Sequence, residues 1–190
     1  MKKKGLIAIV AVIAVIVIIA ISLIGSYNGL VEQNEKVLTA QSAISTQLQR
    51  RADLIPNFVA TVKGYSDYEQ ETFTAVTEAR NAVKGANTVS EQAEASAQLD
   101  SAIDIWVNAV TEAYPELKAS AQYVALQDEL SGTENRIAVA RKDYNETAQK
   151  FNTSIKKFPR SILAGMFGFE TYDYFEADSS AQSVPQVSFD

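Results

Sequence analysis

The sequence predicts an all-α protein: an N-terminal transmembrane helix followed by an antiparallel up-and-down bundle of about four long helices. Three observations predict it. An unbroken apolar run extends from Gly5 to about Ile24. Apolar residues beyond it recur at helical spacings. The 190 residues include only 8 Gly and 4 Pro, too few punctuators for a turn-dense β-sandwich.

About 20 apolar residues at ~1.5 Å each match a hydrocarbon core ~30 Å thick. Lipid offers the backbone no hydrogen-bond partner, so the run must be helical despite its many β-branched residues. A cleaved signal peptide is the alternative, with Ala20-Ile21-Ser22 as a loose small-x-small site. That site lies inside the run, which also exceeds the ~7–15 residues of a signal core, and this favours an anchor. Lys2, Lys3 and Lys4 precede the span, which by the positive-inside rule places the N-terminus in the cytoplasm and the soluble domain outside. The division expected is an anchor over 1–26, a bundle over 27–176 and a disordered Ser- and Gln-rich tail over 177–190.

The first soluble helix is expected over about 28–51, nearly continuous with the span, with Leu30, Val37, Ile44 and Leu48 as its stripe. Asp53-Leu54-Ile55-Pro56 then predicts a turn, with Asp53 as N-cap and Pro56 in the first turn of a second helix reaching about Lys84. Phe58, Val62, Tyr65, Phe73, Val76 and Val83 form its apolar face. Gly85-Ala86-Asn87 stops it. Thr88-x-x-Glu91 reads as a capping box for a third helix carrying Leu99, Ile103, Trp106 and Val110, which must break at Tyr114-Pro115. In the last helix Ile137, Tyr144, Phe151 and Phe158 repeat every seven residues, with Arg141, Ala148 and Ile155 beside them. Whether residues 116–158 form one helix, or two joined near Ser131-Gly132, stays open. Pro159 ends the pattern.

The chain has no Cys and no His, which excludes disulfides, thiolate nucleophiles, His-based triads, and Glu-x-x-His di-iron sites. No EF-hand-type calcium loop is present. The formal charge is −6, and −9 without the three flanking lysines, which disfavours nucleic-acid binding. No catalytic residue, cofactor, metal or small-molecule substrate is therefore expected.

Several separated motifs resemble one family. Tyr27-Asn28-Gly29-Leu30-Val31 follows the span, and Gln47 to Asn57 (QLQRRADLIPN) precedes Thr61-Val62-Lys63-Gly64-Tyr65. Tyr114 to Ala119 (YPELKA), Leu126 to Leu130 (LQDEL), Thr133 to Ile137 (TENRI), Ala140-Arg141, Tyr144-Asn145 and Phe158-Pro159 come next. Phe167-Gly168-Phe169 and Tyr174-Phe175 complete the set. Together these resemble the LemA family over nearly the whole chain. The resemblance implies a bacterial, membrane-anchored, antiparallel helical bundle without an established catalytic activity. It also implies relatives associated with magnetosome membranes or with envelope functions.

The candidates are thus structural or interaction residues. Arg50, Arg51 and Asp53, with Pro56, form a capping and ion-pair cluster at the expected corner. Glu129, Glu134 and Arg141 border the last seam, where Arg141 needs a carboxylate such as Glu134 or Glu35. Phe167, Phe169, Tyr174 and Phe175 either cap the bundle or dip into the bilayer interface, with Lys150, Lys156, Lys157 and Arg160 just before them. Asn145 and Asn152 sit in accidental glycosylation sequons. Expected partners are the membrane and an unidentified protein or a second copy of the chain.

Overall fold

A computed structural model describes residues 2–63 and 70–176, with side chains over 5–62 and 73–176. Among the described residues the chain is helical and has no strand. The elements are α1 (Lys2–Lys63), α2 (Gln70–Gly85), α3 (Val89–Ala113), a 3-10 turn (Pro115–Ala119), α4 (Ala121–Lys156) and α5 (Arg160–Phe167). Tyr65, Tyr68, the end of the Thr61–Tyr65 motif and the tail over 177–190 lie outside the described residues.

α1 is a single 62-residue helix with Pro56 inside it. Its first part is long and apolar enough to cross a membrane, and residues 5–24 have no protein around them. The turn expected at Asp53–Pro56 is absent, and Asp53 caps nothing. Pro56 has no N–H to give to the carbonyl of Ala52, four residues back. Arg80 of α2 supplies the missing donor, its Nε lying 2.9 Å from Ala52 O. Ala52 is wholly buried, so without Arg80 that oxygen would go unpaired. A long-range side chain thus mends the local defect that predicted a turn.

Two compact units divide the described residues, Met1–Thr39 with Glu146–Tyr172, and Ala40–Asn145 with Asp173–Asp190. The second gathers the C-terminal part of α1, then α2, α3 and the first part of α4. Contacts fix their directions. Gln41 reaches Asn87 and Asp53 reaches Lys84, so α2 is antiparallel to α1. Ser45 meets Gln92 while Phe58 meets Trp106, so α3 is parallel to α1. Arg50 meets Glu129 while Phe58 meets Tyr123, so α4 is antiparallel. The result is the expected up-and-down bundle. Its core collects Ile44, Leu48, Ile55, Phe58, Val76, Leu99, Ile103, Trp106, Leu117, Tyr123 and Ile137. Phe58 packs against Trp106 at 5.0 Å and Tyr123 at 5.4 Å between ring centres.

Local signals account for several boundaries. Thr88 caps α3 through a reciprocal box with Glu91, whose carboxylate accepts from the Thr88 and Asn87 N–H groups. Pro115 stops α3 and opens the 3-10 turn, which buried Leu117 anchors. α4 is continuous through Ser131-Gly132, and the buried Thr133 hydroxyl donates to Leu130 O within the helix. It ends at Lys156, before the seam reaches Phe158, whose ring is 82% exposed rather than packed. Gly168, at φ 72°, ends α5 in the left-handed conformation that suits glycine.

A double-mutant cycle tests the repaired gap. Arg80→Ala should cost about 1–2 kcal/mol in the native chain, because it orphans a buried carbonyl. It should cost about 1 kcal/mol less in the Pro56→Ala background, where the backbone at that position regains its own N–H. Equal losses by urea unfolding in the two backgrounds would show that Arg80 does not serve the gap.

Candidate functional site

The segment expected to form a corner is instead the hub of the four-helix unit. Successive helical residues are rotated by ~100°, so Arg50, Arg51 and Asp53 leave α1 on three different sides. Arg50 Nη2 lies 2.6 Å from Glu129 Oε1 on α4, and Arg136 joins that carboxylate at 3.6 Å. Asp53 accepts from Lys84 of α2 at 2.9 Å and from Gln49 at 3.0 Å. These contacts depress the Asp53 carboxyl below its ordinary range, Lys84 first. Being exposed, they orient helices more than they stabilise them.

Arg51 differs. Its side chain is only 6% exposed and forms an ion pair with Asp100 of α3, Nη1 to Oδ1 at 2.5 Å. Glu134 of α4 lies 3.9 Å from its other terminal nitrogen. Burial raises the Asp100 carboxyl above its ordinary range; Arg51 opposes this, while Glu134 and Asp104 add to it. Arg141 belongs to the same electrostatic group. Burial lowers its affinity for the proton, with Asp100 acting the other way. The ion pair expected between Arg141 and Glu134 is not formed; Glu134 lies 3.9 Å from Arg51. Arg141 instead lies over the Phe175 ring at 5.5 Å. Ser96 and Gln92, four and eight residues before Asp100 on α3, extend this polar seam inward, and both are buried.

Composition alone did not point to Asp100, Gln92 or Ser96. The signal was available: these residues share one face of α3 with apolar Leu99 and Ile103, where a carboxylate needs a buried cation.

The C-terminal residues divide between the two units. In the four-helix unit Phe175 is buried against Tyr144, ring centres 5.4 Å apart. Asn145 clamps its backbone from both sides, donating to Phe175 O at 2.8 Å and accepting from its N–H at 2.9 Å. The Tyr144 hydroxyl donates to Asp173 O. Tyr174 is partly exposed, at 44%.

In the other unit Asn152 makes the same two-way clamp on Tyr172, and the Tyr172 hydroxyl donates to Asn34 of α1. Phe169 packs near Phe151 and Tyr27. The two sequon asparagines, seven residues apart on α4, are therefore backbone clamps. Phe167 packs against Tyr27 in a tilted arrangement, ring centres 4.6 Å apart, yet remains 55% exposed, beside exposed Ile162 and Met166 on α5.

Arg51 and Arg141 balance Asp100 and Glu134, the Ser96 hydroxyl is sealed from solvent, and the chain has no histidine to activate it. Among the described residues no three carboxylates gather as metal ligands.

The LemA family profile matches residues 40–189. Protein LemA of Metamycoplasma hominis is 28% identical over 155 residues, covering 81% of this chain and 70% of its own. Magnetosome protein MamQ 2 of Paramagnetospirillum magneticum is 27% identical over 192 residues, covering 88% and 70%. Magnetosome protein MamQ of Magnetospirillum gryphiswaldense is 24% identical over 194 residues, covering 87% and 71%.

The buried ion pair yields a pH prediction. In Arg51→Met the Asp100 carboxyl loses the cation that holds its pKa down, so it rises further. A carboxyl raised on folding binds its proton more tightly in the folded state, so stability grows as pH falls toward that pKa. Thermal melts of Arg51→Met should therefore show part of the lost stability recovering, relative to the native chain, as the pH is lowered from neutral. A loss that is constant with pH would place the cost in packing alone.

Proposed function

The chain belongs to the LemA family, and from that premise we propose that it is a non-catalytic, membrane-anchored helical-bundle protein of the bacterial envelope that acts as a protein-interaction or scaffold module. The observation that carries this is that the buried cation of the four-helix unit and the gap in its longest helix are both answered from within the unit. Its most buried charge, Arg51, is engaged by Asp100 and Glu134. The gap that Pro56 leaves in its helix ladder is filled by Arg80. Side chains that serve one another in this way specify a shape rather than a reaction. The apolar start of α1 supports a single-pass anchor, and the three lysines before it support a cytoplasmic N-terminus with the domain on the outer side. Two relatives carry the name magnetosome protein, which agrees with work at a membrane.

A second reading is favoured by α5. Phe158, Ile162, Met166 and Phe167 expose apolar surface in the unit that carries the span, and Phe167 touches Tyr27, three residues beyond Ile24. Such a face suits the bilayer interface, where the chain would organise lipid as well as bind protein. Phe169, Tyr172 and Phe175 are engaged by the helices instead, so the lipid-facing role narrows from the whole aromatic segment to α5.

Because the chain lacks cysteine, single-cysteine variants report without background. Ile105→Cys, at an exposed position on α3, should react in intact cells with a membrane-impermeant maleimide and, through an attached photo-crosslinker, give a discrete adduct with a partner or a second copy. Met166→Cys should stay unreactive until detergent is added. Failure of Ile105→Cys to label from outside would reverse the orientation, absence of any discrete adduct would remove the scaffold role, and free labelling of Met166→Cys would remove the lipid-facing role of α5.

A further inference from the structure

The unit that carries the span also contains a cleft of about 540 Å³ between α1, the end of α4 and the start of α5. Four cations line it: Lys36, Lys150, Lys157 and Arg160. Gln33 and Thr153 add neutral hydrogen-bonding groups, and no carboxylate is among the described lining residues. Lys36 is held by Glu32 at 2.7 Å, just outside the cleft. Lys150 and Lys157 have no carboxylate partner among the described residues. Like charges gathered in one concavity repel each other and focus a positive potential, which costs stability unless an anion answers it. The concentration also runs against the composition, since the chain is acidic overall.

We infer that this cleft binds a phosphate-type anion. The guanidinium of Arg160 is preset for it. Its Nη1 donates to Ser154 Oγ at 2.6 Å, and its Nη2 rests so close to Gly29 that a Cβ there would lie 3.4 Å away. A planar fork fixed on one edge presents its remaining donors in a defined direction, the geometry that suits phosphate. Gly29 is five residues beyond Ile24, or ~7.5 Å along α1. Headgroup layers extend ~5–8 Å beyond the hydrocarbon. Arg160 therefore stands at the depth of lipid phosphates, with Lys36 and Lys150 farther out. The same cations would take a phosphate from a lipid headgroup or from solution, and both carry the chemistry the cleft selects.

The full chain in phosphatidylcholine nanodiscs, titrated with inorganic phosphate by calorimetry, tests the soluble source. Native mass spectrometry comparing retained phosphatidylglycerol with phosphatidylcholine tests the headgroup source. Lys150→Gln with Lys157→Gln should weaken binding of at least one probe by about tenfold or more. The charge-matched pair Lys118→Gln with Lys142→Gln, outside the cleft, should leave it within about twofold. Circular dichroism confirms that each variant stays helical. Loss of phosphate binding alone supports a soluble anion, and loss of phosphatidylglycerol retention alone supports a headgroup. Binding of neither probe, or equal weakening by both pairs, overturns the assignment.

Discussion

The four-helix unit depends on one constraint: α1 must stay helical through Pro56, because the residues before it are assigned to three different neighbours. Arg50, Arg51 and Asp53 address α4, α3 and α2 respectively. That division holds only while the backbone advances by a regular helical rotation from one residue to the next. A turn at Pro56 would also separate Ile55, Phe58 and Val62 from the stripe begun by Ile44 and Leu48. The bond from Arg80 to Ala52 O is small in energy, but it sits where the ladder is weakest.

Most of the architecture was legible because it follows periodicity. The apolar run of the span, the capping box at Thr88, the stop at Pro115 and the seam through Ile137, Tyr144 and Phe151 needed only local patterns. What local patterns could not decide has one cause in common. The turn expected at Asp53–Pro56 was overridden by a donor that arrives from 28 residues away. The choice left open at Ser131-Gly132 falls to the continuous helix because Thr133 and Leu130 are buried by packing partners that no local rule sees. Phe158 fell out of the seam because Pro159 ends the helix before the repeat can place it.

The candidate site was legible in part. The sequence pointed to Arg141 as a charge that needs a partner and to Arg51 as part of a corner cluster, but not to Asp100, because that carboxylate lies on another helix. Asn145 and Asn152 looked accidental when judged as modification signals. Judged as a half-buried and a buried amide on a helical seam, they required partners with both a donor and an acceptor, and an irregular backbone segment supplies that pair. The aromatic C-terminus accordingly splits into rings held by the helices and an α5 face that is not.

The most direct measurement is the distance between spin labels at Ser42 and Ala60, two exposed positions on α1 that flank Pro56. An uninterrupted helix places their backbones ~27 Å apart, and the account predicts a narrow distribution consistent with that spacing in detergent or nanodiscs. A broad distribution, or one centred well below ~20 Å, would mean that the chain reverses at Pro56 and would contradict the hub on which the unit is built.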